Sequence, residues 1–290
     1  MPSQEFIRLA LIAGTPIALA SGAIGYFIVL RSQVFAGETL SHVAFTGAIA
    51  AAAAGIDLRF GLFAATVAVA LLLAALGDRA MSDDVAIGTI LAWILGLGVF
   101  FLDLFNHSSS GGNGITAART LFGSIFGLSS QDAKVAAVVS AILMLAILLI
   151  ARPLLLATID PRVAAARGVP VAALGTGFLV LVGIDAALTT QVVGALLMLG
   201  LIAVPAGAAH RLTANAYLAL TLSSTFALAS LWLGILLAYE IPTLPPSTAI
   251  VGIAASIYAL AFIITAGHSR RLLPKVDVQP RLGSTARNVQ

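Results

Sequence analysis

Long apolar segments recur along most of the chain, and each is close in length to a membrane-spanning helix. A helix needs about 20 predominantly apolar residues to cross the hydrocarbon core of a bilayer. Segments of this kind follow one another at 6–30, 39–55, 60–76, 85–102, 133–150, 169–183, 189–209, 218–238 and 248–266. Because a backbone in lipid must satisfy its own hydrogen bonds, this pattern predicts an all-α polytopic membrane protein with eight or nine transmembrane helices.

The composition agrees with this interpretation. The chain is 60% hydrophobic and 9% charged, whereas soluble domains are about 25% charged. The net charge of +3 does not indicate a nucleic-acid partner, because the basic residues lie in connections and in the C-terminal tail. The chain contains no cysteine, which excludes disulfides and thiolate metal sites.

A short polar helix is predicted between the fifth and sixth apolar segments, at 159–168. Asp160 is a favourable N-cap, Pro161 a favourable first helical residue and Gly168 a favourable C-terminal stop. A helix of about two turns cannot cross a bilayer, so we place it outside the membrane.

Basic residues indicate which ends of the segments face the cytoplasm. Arginines surround the short helix and follow the last apolar segment: Arg152, Arg162, Arg167, Arg270 and Arg271. Four predicted spans separate these two regions, so both lie on the cytoplasmic side, and the N-terminus lies outside if all nine segments cross. We expect one transmembrane domain at 1–267 and a polar cytoplasmic tail without stable structure at 268–290. The external connection at 106–131 holds an amphipathic piece at 116–126, which we interpret as an interfacial or re-entrant helix.

A carboxylate and an imidazole, Glu38 and His42, stand four residues apart at the start of the second apolar segment. Such groups are scarce here, with 12 Asp and Glu and four His in the chain. On a helix they lie on one face, and this ligand pair suits Zn²⁺, Mn²⁺ or Fe²⁺. Charged residues facing lipid are costly, so the pair is predicted to face the bundle interior or a pathway. The alternative is that Glu38 is a loop carboxylate that caps the start of the helix, where a negative charge is favourable. His42 would then have its hydrogen bonds satisfied in the core.

The other isolated ionisable residues have simpler explanations. His107 lies in a polar loop and His268 in the tail, and both are predicted to be solvated. Asp103 is predicted to be interfacial. His210 stands at a cytoplasmic end, where positive-inside flanking explains it. Asp185 is predicted to lie in an external turn between two spans.

No sequence motif for ATP hydrolysis or for nucleophilic catalysis is present. A P-loop needs a Gly-Lys pair, and the lysines are Lys134 and Lys275. A nucleophile elbow with its triad order is also missing. We therefore expect a transport subunit that is not itself an enzyme.

Several motifs resemble, in the same order, those of the ABC-3 family, the membrane permeases of bacterial zinc, manganese and iron ABC importers. They are 37–42 followed by Gly47, and the segments 84–88, 121–124, 152–155, 160–170 and 193–197 with 205–206. Together they extend over nearly the whole membrane part of the chain. The family most often has aspartate at the position of Glu38. Glutamate keeps the negative charge of aspartate on a longer side chain.

The resemblance implies a type II permease fold, like that of the vitamin B12 importer, in the bacterial inner membrane. It implies a dimer around a central path, with a second copy as the expected partner. It also implies a separate ATPase subunit and an extracytoplasmic solute-binding protein. The transported ion would be Mn, Zn or Fe, with no permanently bound cofactor. Two copies of Glu38 and His42 would then form a transient four-ligand site.

The resemblance also implies that the ATPase docks on the short cytoplasmic helix. The residues expected to carry that docking are Asp160, Pro161, Arg162, Ala165, Ala166, Arg167 and Gly168. Two other classes of protein remain open from the residues alone. One is a secondary transporter of the same size without an ATPase partner, and the other is a structural membrane protein that transports nothing.

Overall fold

The computed structural model describes residues 2–81, 84–108, 123, 125–195, 198–241 and 243–272. Within these ranges the regular secondary structure is helical. The helices are α1 Pro2–Leu30, α2 Val34–Ala53, α3 Leu58–Met81, α4 Asp84–Ser108, α5 Ser130–Ile159, α6 Pro161–Ala166, α7 Val171–Val192, α8 Met198–Leu212, α9 Ala216–Glu240 and α10 Pro246–Leu272, with a 3₁₀ turn at Ile125–Gly127.

Eight of the described helices are long and apolar enough to cross a membrane, namely α1 to α5, α7, α9 and α10. The apolar helix α8 is shorter, with 15 residues. The prediction of an all-α polytopic membrane protein with eight or nine spans is therefore confirmed. Residues 82–83 and most of the predicted amphipathic piece, 116–122 and 124, lie outside the described residues. The last helix runs to Leu272, into the first residues of the segment assigned to the tail, and 273–290 lie outside the description.

The predicted boundary between the sixth and seventh spans is wrong. A turn was expected around Asp185, yet α7 continues through this residue to Val192. The chain leaves the helix at residues 193–195, where Gly194 has a φ of 95°. That backbone conformation is costly for residues with a Cβ and favours glycine. Asp185 does not end the helix because a neighbouring helix supplies a hydrogen bond to its carboxylate.

The predicted end of the fifth span is also wrong. A polar passage was expected to begin at Arg152 and Pro153, but α5 continues to Ile159. A proline is tolerated within a membrane helix because neighbouring groups satisfy the backbone groups that it leaves without a hydrogen bond. Three of the six residues between Pro153 and the end of α5 are buried apolar groups, namely Leu154, Leu155 and Ala157, and their packing favours the continuous helix.

Two helices, α1 and α2, occupy the centre of the bundle. α1 packs against α5, α7, α8 and α9, while α2 packs against α3, α4 and α7. The contact between α2 and α3 is close, because a Cβ on Gly47 would overlap the carbonyl oxygen of Gly61. Small residues allow such an approach between membrane helices. The outer helices expose large apolar side chains, for example Trp93 at 71% and Leu149 at 72%, as a lipid-facing or subunit-facing surface does.

The short helix α6 follows α5 directly and is capped as the sequence predicts. The Asp160 carboxylate accepts hydrogen bonds from the backbone N–H groups of Arg162 and Val163, both at 3.0 Å. Pro161 is the first helical residue, and Gly168 has a φ of 78°. That this end of the bundle faces the cytoplasm stays a prediction of the positive-inside rule.

Candidate functional site

Glu38 and His42 lie inside α2 and not at its start. The helix begins at Val34, and Gln33 occupies the N-cap position without a side-chain capping bond. The backbone N–H of Gly37 donates to the carbonyl oxygen of Gln33 at 3.1 Å, so the helix is already formed before Glu38. The expected position at the mouth of the segment is therefore wrong, and the alternative of a carboxylate at the helix N-terminus loses its basis.

His42 is buried, with 8% of its surface exposed. Its Nδ1 atom is shielded from solvent and has no hydrogen-bond partner among the described residues. A buried polar atom without a partner costs about 1–3 kcal/mol, which a bound ion or water would offset. Glu38 stands one helical turn away and is half-buried. The pair thus combines an unused imidazole nitrogen with a carboxylate on one face of a central helix.

Two hydroxyl groups fix α2 on either side of His42. The Ser41 Oγ lies 2.7 Å from the carbonyl oxygen of Glu38 and 3.1 Å from that of Ala195, in the connection between α7 and α8. The Thr46 Oγ1 donates to the carbonyl oxygen of Ile94 in α4 at 3.1 Å. Such bonds hold α2 in register with its neighbours, so the orientation of Glu38 and His42 is set by the fold.

One subunit does not supply a complete set of metal ligands in its described part. No group of three or more His, Cys, Asp or Glu residues there could hold a metal ion. Zinc sites have four ligands, of which catalytic sites take three from the protein. Glu38 and His42 of one chain can therefore supply only part of a coordination shell.

Asp185 is a buried polar residue that the sequence analysis misplaced. It is 0% exposed, and its Oδ1 accepts a hydrogen bond of 3.0 Å from the Ser21 Oγ in α1. The Ser21 hydroxyl also lies 3.0 Å from the Thr189 Oγ1. The spacing of Asp185 and Thr189, four residues apart, was a signal for one helix face. The partner Ser21 lies 164 residues away from Asp185 in the sequence, and spacing alone cannot find it.

His210 and His107 have ordinary roles in the described part of the chain. The Nε2 of His210 lies 3.2 Å from the carbonyl oxygen of Tyr26, and its ring stacks on that of Tyr26 with centroids 4.7 Å apart. His210 therefore joins α8 to α1, a packing role beyond the predicted flanking role. His107 and Asp103 are exposed, and their side chains lie 3.5 Å apart, so His107 is solvated as predicted. The predicted loop is wrong, because His107 lies in the last turn of α4. The interfacial position of Asp103 stays a prediction. The side chain of His268 is outside the described residues.

The residues predicted to dock an ATPase form one exposed surface around α6. Asp160 caps this helix and is half-buried, and the other members of the set are exposed: Pro161, Arg162, Ala165, Ala166, Arg167 and Gly168. Ala164 is 0% exposed and anchors the helix on the bundle, whereas Val163 is 41% exposed. Val163 adds an exposed apolar side chain to this surface, one that was not among the predicted residues.

Comparisons with known proteins agree in class. The family model of the ABC 3 transport family matches residues 3–265. An uncharacterized membrane protein in the ycf23-apcF intergenic region of Cyanophora paradoxa is 30% identical over 91% of this chain and 87% of its own length. The manganese transport system membrane protein MntC of Halalkalibacterium halodurans is 28% identical over 91% and 88%. The structure of PsaBC from Streptococcus pneumoniae in complex with Fab superposes with a TM-score of 0.79 at 26% identity, covering 92% of this chain and 95% of that chain.

Proposed function

Because the chain belongs to the ABC 3 transport family, we propose that it is the membrane permease of an ATP-driven importer of divalent transition metal ions. The observation that carries the proposal is His42, whose buried Nδ1 has no partner among the described residues and lies one turn from Glu38. Manganese is the ion named for MntC of Halalkalibacterium halodurans. For this chain the proposed cargo is Mn²⁺, Zn²⁺ or Fe²⁺, since one carboxylate and one imidazole suit all three.

The chemistry of the pair fits transient binding. A divalent cation in a low-dielectric interior needs compensating charge, which Glu38 supplies, and His42 adds a neutral nitrogen ligand. A transport site must also release its ion. The chain has no cysteine, so the pathway lacks the thiolate ligands of structural zinc sites.

A second permease subunit would complete the site. Two chains around a two-fold axis would bring two carboxylates and two imidazoles together, which makes four ligands. The limited donor set of one described subunit supports this arrangement. We propose that the second subunit is another copy of this chain.

The driving energy would come from a separate ATPase subunit that docks on α6. The exposed residues of α6 and the buried anchor Ala164 support this role. The sequence contains no P-loop, so we assign ATP hydrolysis to the partner. The family assignment favours this importer over a secondary transporter, which would need no ATPase. We further propose that a solute-binding protein delivers the metal on the extracytoplasmic side.

The test is metal uptake by complexes of this chain with its ATPase in liposomes, measured with radioactive Mn²⁺, Zn²⁺ and Fe²⁺. We expect Glu38→Gln and His42→Ala each to reduce uptake by about 100-fold per assembled complex, the effect of losing about 3 kcal/mol of ligand energy. Assembly with the ATPase should be unchanged, because neither residue belongs to the exposed surface around α6.

The structure offers a matched control for these variants. Asp103 and His107 are also four residues apart on one helix, but both are exposed. Asp103→Asn and His107→Ala should leave uptake near the wild-type level. If Glu38→Gln and His42→Ala transported as well as these controls, the proposed site would be rejected. If they only lowered the amount of folded protein, a packing role would replace it.

A further inference from the structure

The connection between α1 and α2 is a tight elbow of three residues, Arg31, Ser32 and Gln33. The backbone N–H of Arg31 donates to the carbonyl oxygen of Phe27 at 2.9 Å, and that of Gln33 to Ile28 at 2.9 Å. Ser32 has a φ of 55°, a left-handed conformation that a serine adopts only where the surroundings enforce it. These bonds hold the start of α2 at a fixed angle to α1.

The Arg31 side chain bridges this elbow to two other helices. Its Nη1 donates to the Thr158 Oγ1 in α5 at 3.3 Å, and its Nε donates to the Gln33 Oε1 at 3.3 Å. The guanidinium also lies over the Phe178 ring of α7, 5.7 Å from the centroid. One side chain thus touches the end of α5, the residue before α2, and α7.

The two hydrogen-bonded ends of this bridge lead to the two proposed functional elements. On one side, Thr158 stands two residues before Asp160, the N-cap of α6, and its hydroxyl is held by the carbonyl oxygen of Leu154 at 2.7 Å. On the other side, the carbonyl oxygen of Gln33 accepts the N–H of Gly37 at 3.1 Å, and Glu38 follows. The two side-chain hydrogen bonds of Arg31 therefore join the last turn of α5, which leads directly into α6, to Gln33, the residue before α2.

A cavity beside the bridge gives it room to move. Its volume is about 120 Å³, and its lining includes Arg31, Gln33, Gly77, Gly175 and Thr176. Gly77 interrupts α3 with a φ of 78° and a ψ of 172°. Packed interiors leave few voids larger than a water molecule. This pocket is partly open to solvent and leaves space beside the Arg31 side chain.

We propose that Arg31 is a positioning residue that couples α6 to α2, so that a displacement of α6 by the ATPase moves Glu38 and His42. This inference rests on the proposed function. Coupling between distant sites travels through such hydrogen-bond networks when the network has two arrangements. The guanidinium suits this role, since it bonds two acceptors in fixed directions, as a lysine ammonium does not.

The test is the number of metal ions transported per ATP hydrolysed by reconstituted complexes. Arg31→Ala should lower this ratio by about tenfold, within the range typical of coupling between sites, while ATP hydrolysis stays within about twofold of wild type. Arg31→Lys should lower it too, although it keeps the positive charge at the membrane surface. Thr158→Val, of similar size, should lower the ratio in the same direction. The double variant Arg31→Ala/Thr158→Val should be no worse than Arg31→Ala, because each substitution already removes the hydrogen bond between Arg31 and Thr158.

Arg211 provides the matched control. It lies at the same cytoplasmic end and also packs on aromatic rings, 5.1 Å from the Tyr258 centroid and 4.8 Å from that of Phe262. Because Arg211 contacts α10 in these pairs and not α5 or α2, Arg211→Ala should keep the wild-type ratio.

A direct measurement of movement completes the test. The chain has no cysteine, so a single Ser32→Cys variant can carry a fluorescent label at the exposed elbow. The label should respond to ATP in the otherwise wild-type complex, and the response should disappear with Arg31→Ala.

The outcomes separate this inference from the proposed function. If the wild-type complex shows no ATP-driven uptake, the proposed function fails. If the wild-type complex is coupled and Arg31→Ala keeps both its transport ratio and its fluorescence response, the inference alone fails. A normal ratio in Arg31→Lys would reduce the role of Arg31 to its charge and would also overturn the inference.

Discussion

The hydrogen bond between Ser21 and Asp185 provides a quantitative test of how α1 is held against α7. Both side chains are 0% exposed, and the Ser21 Oγ donates to the Asp185 Oδ1 at 3.0 Å. The Asp185 Oδ2 has no partner among the described residues. The perturbation is Ser21→Ala, which removes the one hydroxyl among the described residues that bonds this carboxylate.

The expected size of the effect follows from what remains unpaired. In Ser21→Ala both oxygens of Asp185 are buried without a described donor, and an unsatisfied buried group costs about 1–3 kcal/mol. Asp185→Leu removes the buried carboxylate itself, and the Ser21 hydroxyl keeps its contact of 3.0 Å with the Thr189 Oγ1. In the Asp185→Leu background Ser21→Ala should cost only this contact with Thr189, so its effect should be smaller there, with a coupling energy of about 1 kcal/mol or more.

The assay is the free energy of unfolding of the purified permease in mixed micelles, measured for wild type, both single variants and the double variant. Ser140→Ala is the control, because Ser140 is also 0% exposed in a spanning helix but its hydroxyl has no partner among the described residues. This control should be neutral or slightly stabilising. Equal destabilisation by Ser21→Ala with and without Asp185, or an equal effect of Ser140→Ala, would refute the reasoning.

Two further predictions concern docking and helix packing. Replacing Ala165 and Ala166 with glutamate should abolish co-purification of the ATPase while membrane insertion stays normal. The control Ala214→Glu, on another exposed connection, should keep the ATPase bound. Retained ATPase in the double glutamate variant would contradict the docking assignment. Gly47→Leu should lower the yield of folded protein, because the leucine side chain would overlap the backbone of α3. Gly177→Leu should be tolerated, because a Cβ at Gly177 meets no atom within 4 Å. Equal yields of the two variants in a detergent-extraction assay would contradict the close packing.

Much of the architecture could be predicted from the sequence because its causes are local. The length and apolarity of each segment determine that it forms a membrane helix, and eight described helices meet those criteria. The bounds of α6 follow from three local preferences: Asp160 for the N-cap, Pro161 for the first helical position and Gly168 for the C-terminal stop. Each of these preferences acts within a few residues. The pairing of Glu38 with His42 on one face follows from the helical repeat alone.

Only the tertiary structure determines which buried polar residues have hydrogen-bond partners, and which residues those partners are. Asp185 looked like a turn residue, since its partner Ser21 is brought to it only by the packing of α1 on α7. α5 extends past Pro153 because buried contacts outweigh the local preference of proline to end a helix. No described neighbour bonds the Nδ1 of His42, and Arg31 bridges α5 and the start of α2 because their ends meet in the fold. Burial and partnership depend on contacts between residues far apart in the chain, and a local pattern does not contain them.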